Sequence, residues 1–253
     1  MSLNAFSLKD KTALITGGGT GIGFGIAKAM VEAGAKVVIT GRREGPLQEA
    51  KAQLGENAAY LVFDVLDRPG IPAFVETIEA TIGPIDILVN NAGIHLKKWA
   101  LDTEDEEFER IIQTNLLSVF SLSRACARRM VERKSGSIIF LGSMTGIFGM
   151  DRVVAYGTSK SALAGLMNNL VTEFSKHNVR VNTIAPGWIE SPMMLNAINA
   201  DPQRKEKIVN RIAMTGFGKP EDVGNAAVFL SSEAARYITG VVLPVDGGAV
   251  VNF

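Results

Sequence analysis

The sequence predicts one α/β domain with a doubly wound parallel sheet and helices on both faces of that sheet. Short apolar runs alternate with longer segments of helical period along the whole chain, a pattern typical of parallel strands that are buried on both sides. The chain has 253 residues and 47% apolar residues, which allows one sizeable core. No repeat, low-complexity tract or polar linker divides it, so residues 1–253 are predicted to form a single domain.

The elements follow one another in regular alternation, with one exception. The predicted strands lie at 12–15, 36–40, 59–63, 85–89, 137–141, 180–184 and 241–245, and the predicted helices lie near 21–34, 44–54, 69–82, 104–133, 153–177 and 221–232. Between Pro186 and Pro220 the chain shows no strand signal. Long excursions of this kind in compact domains are often active-site lids. We therefore predict a substrate lid near 188–219.

Composition excludes several classes of partner. Lys plus Arg and Asp plus Glu both number 26, whereas nucleic-acid-binding proteins usually carry a basic excess. Cys126 is the only cysteine, so there is neither an intramolecular disulfide nor the residue spacing of a metal site. The amino terminus lacks the apolar run of a signal peptide, and no stretch approaches the ~18 apolar residues that span a bilayer. We expect a cytoplasmic protein with no nucleic-acid, membrane or metal partner.

The first predicted strand runs directly into a glycine-rich turn that precedes a helix. Glycine lets the backbone turn tightly and approach a ligand closely, and the free N–H groups at a helix N-terminus suit a pyrophosphate. The strict G-x-G-x-x-G spacing is absent. A glycine cluster between the first strand and first helix of an α/β pattern nevertheless favours dinucleotide binding. The candidate contacts are Gly17, Gly19, Thr20, Gly21, Ile22 and Gly23.

The end of the second predicted strand indicates which dinucleotide is bound. An acidic residue at this place would bind the adenosine ribose hydroxyls, whereas an arginine would accommodate a 2′-phosphate. Here Gly41 is followed by Arg42 and Arg43, and the first carboxylate is that of Glu44. The guanidinium groups of Arg42 and Arg43 can form charge-assisted hydrogen bonds with a phosphate, and Arg42 is the candidate contact. The sequence favours NADP(H), and NAD(H) stays open as an alternative.

Two residues at the start of the predicted helix 153–177 are candidates for acid–base chemistry. Tyr156 and Lys160 have the i, i+4 spacing that places both side chains on one helix face. Free tyrosine has a pKa near 10, and lowering it to about 7 requires roughly 4 kcal/mol of phenolate stabilisation, which neighbouring cations can supply. Ser143 follows the strand 137–141 at the carboxyl edge of the sheet, where ligands bind in open α/β sheets. Its hydroxyl can hydrogen-bond a substrate carbonyl or alcohol.

Taken together, the motifs resemble the short-chain dehydrogenase/reductase family along almost the whole chain. They occur in order: Thr16-Gly-x-x-x-Gly-Ile-Gly23, Asn90-Asn-Ala-Gly93, Asn115, Ser143, Tyr156-x-x-x-Lys160 and Pro186-Gly187. The resemblance implies a Rossmann-like sheet of seven parallel strands. It also implies an NAD(P)-dependent oxidoreductase that interconverts a secondary alcohol and a ketone, usually as a homotetramer.

The resemblance further implies roles for individual residues. Tyr156 would exchange a proton with the substrate oxygen, and Lys160 would lower the tyrosine pKa and hold the nicotinamide ribose. Ser143 would orient the substrate, and Asn115 would fix a water molecule in a proton relay. The further cofactor contacts implied are Asp64, Val65, Asn91, Ala92, Gly93, Tyr156, Lys160, Pro186, Gly187 and Ile189.

The predicted substrate contacts lie in three loops and at the start of helix 153–177: His95, Ser143, Thr145, Tyr156, Trp188 and Met193. The predicted mouth of the site also includes Lys97, Lys98 and Glu190. Polar and basic groups mixed with aromatic rings suit a sugar acid or polyol better than a hydrocarbon. The segments 24–28 and 187–193 resemble those of gluconate 5-dehydrogenase and glucose dehydrogenase-like members of the family. We therefore expect a small carbonyl or alcohol substrate of this class.

Two alternatives to the sugar-acid oxidoreductase stay open. A 3-oxoacyl-(acyl-carrier-protein) reductase would share the same motifs, but it usually carries Arg-Asp-Asn-Leu where this chain has Ile94-His-Leu-Lys-Lys-Trp99. A catalytically silent NADP(H)-binding regulator is the second alternative. Loss of Tyr156 or Lys160 would have favoured the regulator, and both residues are present.

Oligomerisation is predicted from the helix that follows Tyr156. This helix carries small or apolar residues on more than one face, namely Ala162, Ala164, Gly165, Leu166, Met167 and Leu170. A helix that is apolar over most of its surface needs a second partner. The tail 241–253 also ends in apolar residues, so we expect it to dock. The prediction is a homotetramer.

Overall fold

One seven-stranded parallel sheet forms the centre of the protein. The computed structural model describes residues 3–191, 194 and 202–252. The strands are β1 (Thr12–Thr16), β2 (Lys36–Gly41), β3 (Ala58–Val62), β4 (Ile87–Asn90), β5 (Gly136–Leu141), β6 (Val179–Pro186) and β7 (Val242–Val245). Their order in the sheet is β3-β2-β1-β4-β5-β6-β7, and every neighbouring pair is parallel, which confirms the predicted fold class.

Helices cover both faces of the sheet, and each face has its own apolar core. Successive strand residues point to opposite faces, so Ala13 and Ile15 pack in one core while Leu14 packs in the other. The helices are α1 (Gly21–Glu32), α2 (Glu44–Leu54), α3 (Ile71–Thr81), α4 (Asp105–Ile112), α5 (Ser118–Arg133), α6 (Val154–Phe174), α7 (Pro202–Arg211) and α8 (Pro220–Ser231). The first core contains side chains of α1, α2 and α8, and the second contains those of α3, α5 and α6.

Two features of the helices were not predicted from the sequence. The long helix predicted at 104–133 is divided into α4 and α5 by one turn of π-helix, Gln113–Leu117. The predicted lid contains α7, whose largely charged sequence conceals a short apolar stripe. Ile208 of that stripe is buried, and it packs with Ile212 and the partly buried Trp188. Residues 192–193 and 195–201 of the lid lie outside the described ranges.

Close contact between α1 and α8 fixes the helix that carries the glycine-rich turn. A Cβ on Gly25 would lie 2.4 Å from the Cβ of Pro220, and a Cβ on Gly224 would lie 2.7 Å from the Gly25 carbonyl oxygen. Glycine at both positions therefore lets the two helix backbones approach. As for membranes, none of the helices described here is long and apolar enough to cross one.

Candidate active site

A cleft of about 720 Å³ opens at the carboxyl ends of the strands, where β1 and β4 lead to opposite halves of the sheet. Ligands of open α/β sheets bind at such a switch point. Thirteen of the predicted cofactor residues line the cleft: Gly17, Gly19, Thr20, Gly21, Ile22, Gly23, Arg42, Asp64, Val65, Asn91, Ala92, Gly93 and Ile189. Tyr156, Lys160, Pro186 and Gly187 do not line it.

The glycine-rich turn has the backbone conformation that glycine favours. Gly17 has φ +65° and Gly21 has φ +55°, a left-handed region that disfavours other residues. A Cβ on Gly23 would lie 2.2 Å from the carbonyl oxygen of Gly17, so α1 closes on the turn only with glycine there. The side chain of Thr20, at the N-cap of α1, forms no capping hydrogen bond. The N-terminus of α1 is therefore suited to accept an anion.

Polar side chains of β1 and the loop after β4 hold this turn in place. The Thr16 hydroxyl accepts hydrogen bonds from the backbone N–H groups of Asn91 (3.0 Å) and Ala92 (2.9 Å). In return, Asn91 Nδ2 donates to the carbonyl oxygens of Thr16 (2.9 Å) and Gly17 (3.2 Å). The side-chain amide of Asn91 is thus used to shape the cleft.

The end of β2 supplies the cleft with cationic groups and an unpaired hydroxyl. Thr40 lines the cleft, and its Oγ1 is buried without a hydrogen-bond partner in the described part of the chain. Arg42 and Arg43 line the cleft, and neither forms an ion pair with another described residue. The neighbouring carboxylate of Glu44 instead accepts hydrogen bonds from Gln48 and the Tyr60 hydroxyl. Together with the open turn, these groups fit a nicotinamide dinucleotide.

The structure brings Ser143, Tyr156 and Lys160 together. Ser143 follows β5, whereas Tyr156 and Lys160 lie in the first turns of α6. The hydroxyl of Ser143 lies near the Tyr156 phenol, where it can stabilise the phenolate by hydrogen bonding. Lys160 Nζ lies 5.6 Å from the centre of the Tyr156 ring and donates to the carbonyl oxygen of Leu141 at 2.6 Å. The ammonium group and the phenol therefore share one face of α6, as the spacing predicts.

Burial shifts both ionisable groups toward their neutral forms. Desolvation raises the pKa of Tyr156, and the hydrogen bond with Ser143 only partly opposes this rise. In the chain without cofactor the pKa of Tyr156 is therefore raised, because a buried phenolate loses more solvation than Ser143 replaces. The lowering of this pKa by Lys160 and an oxidised nicotinamide stays a prediction. Desolvation also lowers the pKa of Lys160 to about 8. A neutral Tyr156 is suited to donate a proton to a carbonyl oxygen.

Asn115 holds the loop after β4 against α6. It lies in the π-helical turn, where its Oδ1 accepts from the Ile94 N–H (2.9 Å) and its Nδ2 donates to the Ile94 carbonyl (2.9 Å). The same Nδ2 donates to Ser159 Oγ (3.1 Å), and Ser159 Oγ donates to the Tyr156 carbonyl (2.7 Å). Asn115 thus fixes the peptide that precedes His95. Its role in holding a water molecule stays a prediction.

The predicted substrate residues occupy different environments. His95 lines the cleft, and its ring centre lies 4.6 Å from that of Tyr156 with the planes tilted by 54°. Thr145 is buried against Ser143. Trp188 packs against the apolar cluster beneath the lid. Met193 lies outside the described residues.

Pro186 and Gly187 contact β7 and the residue that follows it. Pro186 pairs with Val245 in the sheet, and the Gly187 N–H donates to the Val245 carbonyl at 3.0 Å. A Cβ on Gly187 would lie 2.7 Å from the Cα of Asp246. Glycine is required here by the approach of another backbone. The cofactor contact predicted for this pair stays a prediction.

Sequence reasoning missed several residues that line the cleft: Thr40, Gly41, Pro46, Leu47, Phe63, Leu66, Ile94, Arg110, Thr114 and Ser191. The position of Thr40 at the end of a predicted strand, two residues before Arg42, was a usable signal. Arg43 and Glu190, which the sequence placed near the site, also line the cleft. Arg110 and Thr114 reach the cleft from α4 and the π-helical turn, and no local pattern indicates them. Within the described residues, no cluster of His, Cys, Asp or Glu could hold a metal ion.

Comparison with known proteins identifies the class to which this fold and site belong. A family model described as enoyl-(acyl carrier protein) reductase matches residues 17–250. The chain belongs to the short-chain dehydrogenase/reductase family, and it is an NAD(P)-dependent oxidoreductase that acts on CH–OH groups.

Individual relatives carry two different names. The chain is 40% identical over 250 residues to a 2-dehydro-3-deoxy-D-gluconate 5-dehydrogenase of Pseudoalteromonas atlantica, covering 97% of this chain and 98% of the relative. It is 39% identical over 242 residues to a 3-oxoacyl-(acyl-carrier-protein) reductase of Vibrio harveyi, covering 96% and 98%. A crystal structure of a gluconate 5-dehydrogenase from Burkholderia cenocepacia in complex with NADP and tartrate matches with a TM-score of 0.94, 32% identity and full coverage of both chains.

Proposed function

We propose that this protein interconverts a secondary alcohol and a ketone of a sugar acid or polyol, and that it prefers NADP(H) to NAD(H). The observation that carries the cofactor preference is the pair Arg42 and Arg43, which line the cleft free of ion pairs with the described residues. An arginine at the end of β2 accommodates a 2′-phosphate. The carboxylate of Glu44, which would repel that phosphate, is engaged by Gln48 and Tyr60.

The residues around Tyr156 define how the chain serves the reaction. The bound nicotinamide supplies or accepts the hydride. In the reductive direction Tyr156 donates its proton to the substrate oxygen, and Ser143 holds that oxygen by a hydrogen bond. Lys160 places a positive charge near the phenolate that results. Because all three groups are assembled, an enzyme is favoured over a catalytically silent regulator.

The substrate class is supported by the relatives and by the mouth of the cleft. Relatives named 2-dehydro-3-deoxy-D-gluconate 5-dehydrogenase are 36–40% identical to this chain, and the Burkholderia cenocepacia structure holds tartrate. His95 next to Tyr156 offers a polar contact for a hydroxyl or carboxylate group. We extend the proposal to a lid formed near 188–219, whose described residues include helix α7.

Turnover of 5-keto-D-gluconate tests the proposed substrate class. Oxidation of NADPH would be followed with this substrate, with NADH as the second cofactor and Tyr156→Phe as the inactive control. We expect NADPH-dependent turnover that the Tyr156→Phe variant loses while it still binds NADPH. No turnover with either cofactor, in a protein that binds NADPH, would refute the sugar-acid assignment.

Substitution of Arg42 tests the cofactor preference separately. Hydrogen bonds to charged groups contribute about 1.5–3 kcal/mol, so Arg42→Ala should raise the KM for NADPH by about 10- to 100-fold. The KM for NADH should stay within about twofold, because NADH lacks the 2′-phosphate. Arg236→Ala, an exposed arginine outside the cleft, is the matched control. Equal effects on both cofactors would contradict the proposal.

A 3-oxoacyl-(acyl-carrier-protein) reductase is the second candidate, because the Vibrio harveyi relative is nearly as similar as the sugar-acid dehydrogenases. Reduction of an acetoacetyl thioester with NADPH distinguishes the two functions. Thioester turnover without turnover of 5-keto-D-gluconate would favour this second candidate.

We further propose a cytoplasmic homotetramer. On α6, Ala162, Ala164 and Leu166 are only partly buried and Gly165 is exposed, so a second apolar face of the helix has no full cover from the described part of the chain. Phe120 on α5 is exposed as well. Part of the tail docks within the same chain, since Asn252 Nδ2 donates to the carbonyl of Asn210 on α7. Light scattering that shows only monomers at micromolar concentration would refute the assembly.

A further inference from the structure

Thr145 directs both of its hydrogen-bond donors at Ser143. Its hydroxyl donates to Ser143 Oγ at 2.9 Å, and its backbone N–H donates to the same oxygen at 3.2 Å. Thr145 and Ser143 are each only 9% exposed. In the described part of the chain the Thr145 hydroxyl makes no other hydrogen bond. The sequence predicted Thr145 as a substrate contact, whereas the geometry turns its hydroxyl toward Ser143.

With the Thr145 hydroxyl as the donor, the number of donors and acceptors determines where the hydrogen of Ser143 points. A serine hydroxyl has one hydrogen and two acceptor positions. The backbone N–H of Thr145 can only donate, so it occupies one acceptor position of Ser143. The Thr145 hydroxyl occupies the second. The Ser143 hydrogen is left for the nearby oxygen of Tyr156, whose phenolate it can stabilise, or for the substrate oxygen.

We propose that Thr145 is a positioning residue, which makes Ser143 a hydrogen-bond donor to the reacting oxygen atoms. A hydroxyl that accepts two hydrogen bonds is polarised and donates more strongly. Donation by Ser143 stabilises the Tyr156 phenolate and opposes the effect of burial on that residue. The proposal rests on the alcohol–ketone reaction of the family and does not depend on which substrate is reduced.

The opposite orientation has different chemical consequences. If Ser143 donated to Thr145, it would have to accept a hydrogen bond from Tyr156, and the neutral phenol would be favoured. The tyrosine would then be a weaker base in alcohol oxidation. The two orientations therefore predict opposite effects of removing the Thr145 hydroxyl on the acidity of Tyr156.

Titration of the Tyr156 phenol measures this acidity without any substrate. The chain has three tyrosines, so the ultraviolet phenolate signal of each protein would be compared with that of the same protein carrying Tyr156→Phe. Thr145→Val removes the hydroxyl and keeps the branched shape. We expect this variant to raise the apparent pKa of Tyr156 by about one unit, a tenfold change in its acid equilibrium, because a hydrogen bond to a charged group is weakened.

Three further proteins complete the test. Thr145→Ser keeps the hydroxyl and should titrate like the wild type, whereas Thr145→Ala should behave like Thr145→Val. Thr158→Val makes the same chemical change at an exposed position of α6 and should leave the titration unaltered. Circular dichroism and the urea midpoint show whether each protein is folded. If Thr145→Val does not fold, the comparison of Thr145→Ala with Thr145→Ser carries the test.

The pH dependence of alcohol oxidation provides the kinetic readout, with whichever substrate the enzyme turns over. The rise of kcat with pH should move to higher pH by about the same amount in Thr145→Val, because the phenolate is the base. An unchanged or lowered Tyr156 pKa in folded Thr145→Val would overturn the proposal. The proposal would also be overturned if Thr145→Ser titrated like Thr145→Val, since the hydroxyl would then not be the group responsible.

Discussion

Replacing Lys160 by methionine should stabilise this protein while it abolishes catalysis. Lys160 is 7% exposed, and its ammonium has no carboxylate partner in the described part of the chain. Its one hydrogen bond among the described residues is to the carbonyl of Leu141. Burial lowers the pKa of Lys160 from 10.5 to about 8. At neutral pH, folding therefore removes water from the charged ammonium of Lys160, and one hydrogen bond to a carbonyl does not fully replace that hydration. This loss lowers the free energy of unfolding.

The size of the effect follows from the pKa values. A change from 10.5 to about 8 corresponds to about 3 kcal/mol of unfavourable free energy for the charged form, at ~1.4 kcal/mol per pKa unit. Methionine removes this cost but loses the hydrogen bond to Leu141, which is worth about 1 kcal/mol. The net gain in the free energy of unfolding at pH 7 is about 2 kcal/mol. For a chain of this size the melting temperature should rise by about 4–8 °C.

The stability gained by Lys160→Met should decrease as the pH rises. Between pH 8 and 10.5 the unfolded chain binds more protons at Lys160 than the folded chain, so the stability of the wild type rises with pH in this window. Below pH 8 both states are protonated and the full cost is present. The advantage of Lys160→Met should therefore fall from about 2 kcal/mol at pH 7 to under about 1 kcal/mol at pH 9.5.

Urea unfolding of both proteins at pH 7 and pH 9.5, without cofactor and at one protomer concentration, measures this difference. Lys176→Met, an exposed lysine just beyond α6, is the control for a general effect of methionine. The reasoning about buried charge would be refuted if Lys160→Met were no more stable than the wild type at pH 7. It would be refuted as well if the advantage were the same at both pH values.

Three further outcomes test the geometry around the cleft. Gly23→Ala places a Cβ 2.2 Å from the Gly17 carbonyl oxygen, so the affinity for NADPH, measured by fluorescence, should fall by at least about tenfold (~1.4 kcal/mol). Gly45→Ala is the control, because the space around Gly45 is open, and it should bind NADPH normally. Gly25→Ala forces α1 away from Pro220 and should lower the free energy of unfolding by about 2 kcal/mol, and a urea midpoint equal to that of the wild type would contradict the close packing. Dialysis against EDTA should leave activity unchanged, because the described residues contain no metal-binding cluster; lost activity that Zn²⁺ or Mg²⁺ restores would show otherwise.

The sheet could be predicted from the sequence because its strands are buried on both faces. Such strands appear as continuous apolar runs, and the run at 12–15 marks β1 (Thr12–Thr16) to within one residue. Helix α7 could not be predicted, because lysine and arginine dominate its sequence and Ile208 is buried only once the tertiary structure forms. The π-helical turn was missed for a similar reason, since a shift from i+4 to i+5 hydrogen bonds has no local sequence signal.

The candidate site also contains both residues that the sequence predicts and residues that it does not. Ser143, Tyr156 and Lys160 could be found because their chemistry requires particular side chains at particular spacings. Arg110 reaches the cleft only through the packing of α4, and sequence position does not reveal it. The rise in the Tyr156 pKa could not be predicted from the sequence either, because it depends on how deeply the phenol is buried in the folded chain.

The hydrogen bonds explain why such widely spaced motifs are needed together. Thr16 on β1 fixes the backbone of Asn91 and Ala92, and a little further along the same loop both backbone groups of Ile94 are clamped by Asn115. Asn115 also reaches Ser159, one turn from the reacting phenol on α6. Each motif therefore uses polar groups to position another motif, and the glycine-rich turn is connected to the acid–base residue through the loop after β4.

This connection implies that loss of one motif residue should affect functions assigned to another. Asn115→Leu would release the Ile94 peptide and with it His95, which lies against the Tyr156 ring. Such a variant should lose both substrate turnover and part of its affinity for NADPH, although Asn115 does not line the cofactor cleft. A residue that served only to hold a water molecule near the phenol would lower turnover and leave cofactor affinity unchanged, so measuring both quantities in one variant separates the two roles.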